Sequence, residues 1–266
     1  MAKFGDTIRT FGRLEQLASG DSSIHRLHPM VKVALTFIYI VTVVSFPGDS
    51  VSGLIPMLVF PVILMSLSGT PYDPLVRRVL IALPFAAAAG LGNVFLNRET
   101  ALYLGSIPVT YGALSFASLT LKTMLTVAAV LILTATTPLD KIIACLTQIH
   151  IPKIICIQIM LTYRYIAVLL GETSRAYNAY SLRSAERGGV CMRDIGSFLG
   201  QILLRSFDRS ERVYGAMKCR GFSGDFPTGD ADPPTIRDIS FAALTALVIV
   251  IPRIYNFSLI IGKSLG

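Results

Sequence analysis

The stretch Arg205-Ser-Phe-Asp-Arg-Ser-Glu-Arg-Val-Tyr-Gly-Ala-Met-Lys-Cys-Arg-Gly221 decides how this chain is organised. It has the pattern of a charged amphipathic helix, and Gly221 is the residue type that ends a helix in a left-handed conformation. The sequence on either side is dominated by apolar runs of membrane-spanning length. A basic helix that stays outside the bilayer is a candidate for docking a cytosolic partner. We therefore expect a membrane protein that is driven by another subunit.

Composition supports the membrane class. The chain has 266 residues, of which 53% are hydrophobic and 15% charged, and its mean hydropathy is +0.63. Soluble domains carry about 25% charged residues. The net charge of +8 does not indicate nucleic-acid binding, because the basic residues alternate with apolar runs and no aromatic-rich basic face accompanies them.

The apolar runs predict an all-α integral membrane protein with about five transmembrane helices and a helical coupling segment on the cytosolic side. The predicted spans are 31–46, 51–68, 79–96, 112–135 and 239–261. The N-terminal membrane region is then 1–135, the coupling segment 136–236 and the C-terminal span region 237–266. With a cytosolic N-terminus, the inner side holds 20 of the 24 Lys and Arg residues, as the positive-inside rule requires.

The coupling segment is predicted to contain three helices, and the membrane region two loops, 69–78 and 97–111. Thr137 can cap the first coupling helix, and Pro138 suits its first position. The second helix begins near Pro152, is apolar at first and becomes amphipathic over 163–183. The third spans roughly 193–220, with Arg209 expected on its polar face.

Two helix ends in this segment are the candidate docking site: Leu182-Arg183-Ser184 and Cys219-Arg220-Gly221. A guanidinium offers a rigid fork of donors for carboxylates and backbone carbonyls on a partner, and the helix dipole favours it at a C-terminus. The alternative is ordinary C-capping with a solvated arginine. Two equivalent ends in one segment suit a partner with two subunits.

Other ionisable residues have structural interpretations. Lys122 and Arg253 lie within predicted spans, and no acidic residue in the other spans could form a proton relay with them. We expect both to snorkel or pair structurally, and Lys32 to snorkel. Glu172 and Arg175 are interpreted as part of a solvated helix face.

The histidines and cysteines do not predict a metal site. His25, His28 and His150 lack a Cys, Asp or Glu cluster beside them and are interpreted as surface or packing residues. The four cysteines form no CxxC pair and are expected to be free thiols facing the cytosol or packed between helices. They are Cys145, Cys156, Cys191 and Cys219.

The sequence lacks the motifs of the common enzyme classes, including GxxxxGK[ST], HExxH, GxSxG and a GxGxxG in a fitting context. We therefore expect a non-enzymatic subunit without a cofactor. If ATP drives transport, another subunit must hydrolyse it.

Four segments resemble the transmembrane T component of energy-coupling factor transporters, especially its cobalt/nickel branch, the CbiQ type. The most specific runs from Arg209 to Phe222 and ends in Cys-Arg-Gly-Phe. Tyr163-Arg-Tyr-Ile-Ala-Val-Leu-Leu-Gly-Glu172, Asp21-Ser-Ser-Ile-His-Arg-Leu-His-Pro-Met-Val-Lys32 and Thr136-Thr-Pro138 are also similar. The resemblance covers about residues 20–225 in the family's order.

The resemblance implies a scaffold. Family members hold a substrate-binding S component in the membrane and sit on two cytosolic ATP-binding-cassette ATPases. Their two coupling helices end in Ala-Arg-Gly motifs that enter grooves on the ATPases, while metal recognition belongs to the S component. By position, Arg220 and Gly221 match the second motif, with Cys219 in place of Ala. The first motif falls at Leu182-Arg183-Ser184, where Leu replaces Ala and Ser replaces Gly; Arg187-Gly188 is a competing placement.

Two further classes remain as alternatives. A permease subunit of a conventional ATP-binding-cassette importer would carry its own translocation path, but such permeases usually show a Glu-Ala-Ala-type loop with a later Gly, which this segment lacks. A membrane enzyme or a stand-alone channel would be active as an isolated chain. Co-purification of stoichiometric ATPases and a small apolar partner would favour the T-component interpretation over both alternatives.

Overall fold

A computed structural model describes residues 20, 22, 24–48, 51–69, 72–96, 100–104, 107–148, 151–183, 189–224 and 235–254. The helices within them are α1 (Pro29–Val44), a 3₁₀ segment (Ser52–Leu58), α2 (Val59–Ser68), α3 (Tyr72–Leu96), α4 (Tyr111–Thr136), α5 (Leu139–Gln148), α6 (Lys153–Arg183), α7 (Ile195–Cys219) and α8 (Ile236–Ile254). This confirms the predicted all-α class. A short antiparallel hairpin, β1 (Thr100–Leu104) with β2 (Ile107–Thr110), occupies part of the predicted loop 97–111.

The chain divides into two compact units. The first unit contains the described residues up to 142 and those from 235 to 254, and the second contains the described residues from 143 to 224. By length and composition, three helices of the described parts could cross a membrane: α3 over Leu75–Val94, α4 and α6. Helix α1 and the 3₁₀ segment with α2 are apolar but shorter. Helix α6 was expected entirely on the cytosolic side, yet its apolar first half gives it the composition of a span.

Two predicted membrane segments have different boundaries in the structure. Helix α3 begins at Tyr72, so the predicted loop 69–78 is largely helical and contains Arg77 and Arg78 within α3. A pair of arginines does not interrupt backbone hydrogen bonding, and both are good helix formers. The predicted span 51–68 is two helical pieces, because Pro56 lies inside the 3₁₀ segment and has no N–H to donate. The predicted last span corresponds to α8 up to Ile254; residues 255–261 lie outside the described parts.

The core of the first unit forms where α1 packs against the 3₁₀ segment, α4 and α8. Tyr39 is fully buried there; its hydroxyl donates to the Met57 carbonyl at 2.9 Å, and its ring stacks on Phe60 with centroids 4.5 Å apart. Val43 and Leu125 are buried in the same cluster. The tyrosine hydroxyl has a partner because an unsatisfied buried polar group is costly.

Helices α3 and α4 pack closely because a glycine lies between them. A Cβ added at Gly90 would lie 2.7 Å from Cδ2 of Phe116, so any side chain there would displace the Phe116 ring. One turn along, Asn93 Nδ2 donates to Ser115 Oγ at 3.2 Å. This confirms the close packing expected of the small residues 86–90.

Basic side chains of the first unit donate hydrogen bonds to backbone carbonyls at helix ends. The prediction that Lys32 snorkels was wrong. Lys32 is 7% exposed, and its Nζ donates to the carbonyl of Thr136 at 2.9 Å. Lys122 Nζ donates to the carbonyl of Phe46 at 2.6 Å. Arg253 donates to the carbonyl of Ser45 at 3.1 Å. The structural role predicted for Lys122 and Arg253 is therefore confirmed, and it consists of satisfying carbonyls at helix C-termini.

The predicted cap on α5 differs from the observed one. The Oγ1 of Thr137 is buried and has no hydrogen-bond partner among the residues that the structure describes. The carbonyl of Pro138 instead accepts from the N–H groups of Lys141 and Ile142, and α5 begins at Leu139. The chain thus turns directly from α4 into α5.

Candidate partner-docking site

Helices α6 and α7 of the second unit form an antiparallel pair. The hydroxyl of Tyr180, near the end of α6, donates to Asp194 Oδ2 at 2.7 Å, and Asp194 immediately precedes α7. The Tyr180 ring meets Phe198 edge-on with centroids 6.2 Å apart. The end of α6 therefore lies beside the start of α7.

An ion pair joins the two helices further along. Arg209 of α7 is bonded to Glu172 of α6, and their side chains are 32% and 18% exposed. Glu172 is therefore not part of a solvated face, and Arg209 does not lie on the free polar face of its helix; both interpretations were wrong. The sequence held one signal for this role: Glu172 is the only acidic residue among the 31 residues of α6.

The first candidate end lies at the C-terminus of α6. Leu182 is 84% exposed, Arg183 is also exposed, and α6 ends at Arg183. Ser184 and the competing pair Arg187-Gly188 lie outside the described residues. An exposed leucine beside an exposed arginine offers both an apolar contact and a fork of donors.

The second candidate end is a complete Schellman motif. Helix α7 ends at Cys219, Arg220 is its C-cap residue, and Gly221 has a φ of 84°. The N–H of Phe222 donates to the carbonyl of Met217 at 3.0 Å, and that of Gly221 to Lys218 at 2.9 Å. These two bonds satisfy carbonyls that would otherwise be free at a helix end. The left-handed ending predicted for Gly221 is confirmed.

The glycine also keeps the surface beside the arginine open. Cys219, Arg220 and Gly221 are all exposed, and a Cβ built on Gly221 would have no atom within 4 Å. The glycine is therefore required by its backbone conformation and not by crowding within the chain. A partner can approach the backbone here without meeting a side chain.

The arginines of the two candidate ends lie at equal sequence distances from the ion pair. Arg183 follows Glu172 by eleven residues, and Arg220 follows Arg209 by eleven residues. Eleven residues are about three helical turns, or about 16 Å. Because the helices are antiparallel, the two arginines lie at opposite ends of the pair, separated by about 33 Å along the helix axis. Within the described parts of the chain, neither guanidinium has a hydrogen-bond or ion-pair partner.

The histidines have packing and capping roles. His25 Nδ1 shares a hydrogen bond with Ser22 Oγ at 2.7 Å. His28 caps α1: its Nδ1 accepts from the N–H of Met30 at 3.2 Å. His150 lies outside the described residues. In the described ranges, no group of three or more His, Cys, Asp or Glu residues is arranged to hold a metal ion.

The cysteines are free thiols, as expected. Cys145 and Cys156 are buried, Cys191 is half-buried and Cys219 is exposed next to Arg220.

Comparison with known proteins supports the resemblance found in the sequence. The family model of the cobalt transport protein CbiQ matches residues 20–229. The chain is 25% identical to the energy-coupling factor transporter transmembrane protein EcfT of Clostridium kluyveri over 88% of this chain and 93% of that protein. It is 25% identical to the EcfT of Ruminiclostridium cellulolyticum over 79% of this chain and 83% of that one. It is also 28% identical to the nickel permease LarQ of Lactiplantibacillus plantarum, over 49% of this chain and 47% of that protein.

Proposed function

Because the chain belongs to the CbiQ family of cobalt transport proteins and is a transmembrane T component of an energy-coupling factor transporter, we propose that it links two cytosolic ATPases to a substrate-binding S component. The complex would import cobalt or nickel through the cell membrane. The chain itself would transmit force and hydrolyse no ATP. Its partners would be the two ATP-binding-cassette subunits, the S component and the bilayer.

One observation carries the proposal: two exposed arginines lie at opposite ends of an antiparallel helix pair, each eleven residues beyond the same ion pair. A single-subunit partner would need one docking point. Two points about 33 Å apart suit two copies of one ATPase, each receiving one helix end. Arg183 and Arg220 would be the docking residues, with Leu182, Ser184, Cys219 and Gly221 completing the two ends.

The proposed orientation follows from charge. The basic residues of α6 and α7 belong with the N-terminal region on the cytosolic side, since positively charged loops remain inside. The predicted division into a membrane region 1–135, a coupling segment 136–236 and a last span region 237–266 is part of this proposal. The names of two relatives, nickel permease LarQ and putative fused cobalt transport protein CbiMQ, favour a transition-metal cargo.

The proposal can be tested by reversing the charge at the second docking end. Arg220→Glu should leave the protein inserted in the membrane but weaken co-purification of the ATPases and abolish uptake of radioactive cobalt or nickel. The reason is that a carboxylate cannot donate to acceptors on the partner and repels its acidic groups. Arg212→Glu is the matched control, because it makes the same change on an exposed residue of α7 that is not at the helix end.

The outcomes separate the candidate functions. Full uptake by an intact complex containing Arg220→Glu contradicts the docking role. Loss of ATPase binding in Arg212→Glu to the same extent shows a general charge effect and also contradicts it. Uptake by the isolated chain, without ATPases, would assign it to the channels.

A further inference from the structure

A tyrosine hydroxyl ties the end of α6 to the start of α7. The hydroxyl of Tyr180 donates to Asp194 Oδ2 at 2.7 Å and accepts the backbone N–H of Cys191 at 3.3 Å. All three residues are half-buried, so these bonds are partly shielded from water. The ring of Tyr180 adds its edge-on contact with Phe198 of α7. The hydroxyl therefore connects the last turn of α6 to two points of the chain that leads into α7.

The carboxylate that accepts from Tyr180 is not used by its own helix. Asp194 is the N-cap residue of α7, yet its side chain accepts from no N–H of the described first turn. An aspartate at this position ordinarily accepts such a bond and stabilises its helix by doing so. Here the carboxylate accepts from the Tyr180 hydroxyl of the preceding helix. The pairing between helices thus replaces the ordinary capping role.

The two candidate docking ends are closed in different ways. At the second end, Gly221 takes the left-handed conformation that completes the Schellman motif. At the first end, the residue after Arg183 is Ser184, and a side chain disfavours that conformation. Arg183 is exposed and follows Tyr180 by three residues, which is less than one helical turn. The Tyr180 bonds therefore lie within one turn of Arg183 and connect its helix end to α7.

We propose that Tyr180 is a positioning residue for the Arg183 end. Through Asp194 and Cys191 it holds the last turn of α6 beside the start of α7, so that Arg183 is presented to an ATPase in one orientation. The inference rests on the proposed function, in which Arg183 docks. The second end needs no such residue, because its closure is local. Loss of the hydroxyl should therefore loosen the first end alone.

Hydrogen exchange of the full chain in detergent tests the positioning itself. Tyr180→Phe keeps the ring and removes the hydroxyl, so the amide of Cys191 loses its acceptor. Exchange at that amide and in the last turn of α6 should become about tenfold faster, since a hydrogen bond to a charged acceptor is lost. The amides of Gly221 and Phe222 should exchange as in the wild type.

Two further variants separate these bonds from general effects of substitution. Tyr165→Phe is the matched control, because Tyr165 is another half-buried tyrosine of α6 and its hydroxyl has no hydrogen-bond partner among the described residues. Its exchange should match that of the wild type. Asp194→Ala should also accelerate exchange in the last turn of α6. Combining it with Tyr180→Phe should add little, because both changes remove the same bond.

Uptake of radioactive cobalt or nickel gives the functional readout. Proteoliposomes that hold the membrane subunits are titrated with the ATPases that co-purify with the chain. Tyr180→Phe should raise the ATPase concentration for half-maximal uptake about tenfold and leave maximal uptake unchanged, because a loosened end must be ordered again on binding. Arg183→Glu should lower maximal uptake even at saturating ATPase, because the docking contact itself is lost.

The outcomes separate this inference from the docking proposal. Wild-type exchange at Cys191 and in the last turn of α6 of Tyr180→Phe would overturn the positioning role. An unchanged half-maximal ATPase concentration in Tyr180→Phe, with Arg183→Glu inactive, would overturn it and leave docking by Arg183 intact. Full uptake by Arg183→Glu would contradict docking at this end, and the inference would fall with it.

Discussion

Lys32 and Lys122 cap each other's helices: Lys32 of α1 bonds the carbonyl of Thr136 at the end of α4, and Lys122 of α4 bonds the carbonyl of Phe46 just beyond α1. The two helices are therefore antiparallel, with a positive charge at each C-terminus where the helix dipole favours it. Each ammonium group donates a hydrogen bond to a backbone carbonyl at the end of the other helix. This explains how two lysines are accommodated in an apolar unit.

Replacing either lysine should destabilise the first unit. Lys32→Met and Lys122→Met should each lower the free energy of unfolding by about 1–2 kcal/mol, because a carbonyl at a helix end loses its charged donor. Thermal unfolding in detergent measures the change. Lys141→Met, at an exposed position of α5, should change stability by less than about 0.5 kcal/mol. If all three variants unfold alike, the caps contribute nothing to stability.

Gly221→Ala should loosen the end of α7. Alanine fits the space but not the φ of 84°, at a cost of about 1–2 kcal/mol. Hydrogen exchange should accelerate at the amides of residue 221 and Phe222, whose hydrogen bonds close the Schellman motif. Binding of the proposed ATPases should also weaken. Gly215→Ala is the opposite control: it lies inside α7 with open space around it, and it should stabilise the helix by about 0.5–1 kcal/mol. Equal exchange in both variants would contradict the role of the left-handed residue.

The Glu172–Arg209 ion pair should show measurable coupling. A double-mutant cycle with Glu172→Gln and Arg209→Gln should give an interaction free energy of about 1–2 kcal/mol, since both side chains are partly buried but solvent still screens them. Chemical unfolding of the purified chain is the measurement. The exposed pair Asp208 and Arg212, four residues apart on α7, should give less than about 0.5 kcal/mol. Equal couplings would show that the ion pair has no special role in joining the helices.

Gly90→Ala should disturb the contact between α3 and α4. The new methyl group would meet the Phe116 ring at 2.7 Å, and such overpacking costs about 1–3 kcal/mol. Gly92→Ala adds the same group two residues later, where no atom lies within 4 Å, and should be neutral or stabilising. Comparing the melting temperatures of the two variants separates crowding from helix propensity. A melting temperature for Gly90→Ala at or above that of Gly92→Ala would show that Phe116 moves aside freely.

Features encoded locally were predictable from the sequence. The fourth span was predicted at 112–135 and is observed at Tyr111–Thr136; the last coupling helix was predicted at 193–220 and is observed at Ile195–Cys219. Both have periodic apolar residues and clear end signals, including Gly221. The pairing of Glu172 with Arg209, and of Lys32 with Thr136, joins residues 37 and 104 positions apart. Charge and hydropathy along the chain do not reveal such partners, so these residues were assigned to solvent or to the membrane surface.

The equal spacing of the two docking ends from the ion pair has a mechanical consequence. The Glu172–Arg209 ion pair lies midway between the two ends, about 16 Å from each. A rotation of about 10° between the helices would move each end by about 3 Å, and by the same amount on both sides. In the proposed complex, two ATPases that move the ends together would apply equal torques to the helix pair, whereas one that moved alone would tilt it. For the proposed complex, this equal spacing predicts that the two ATPases act together and do not alternate.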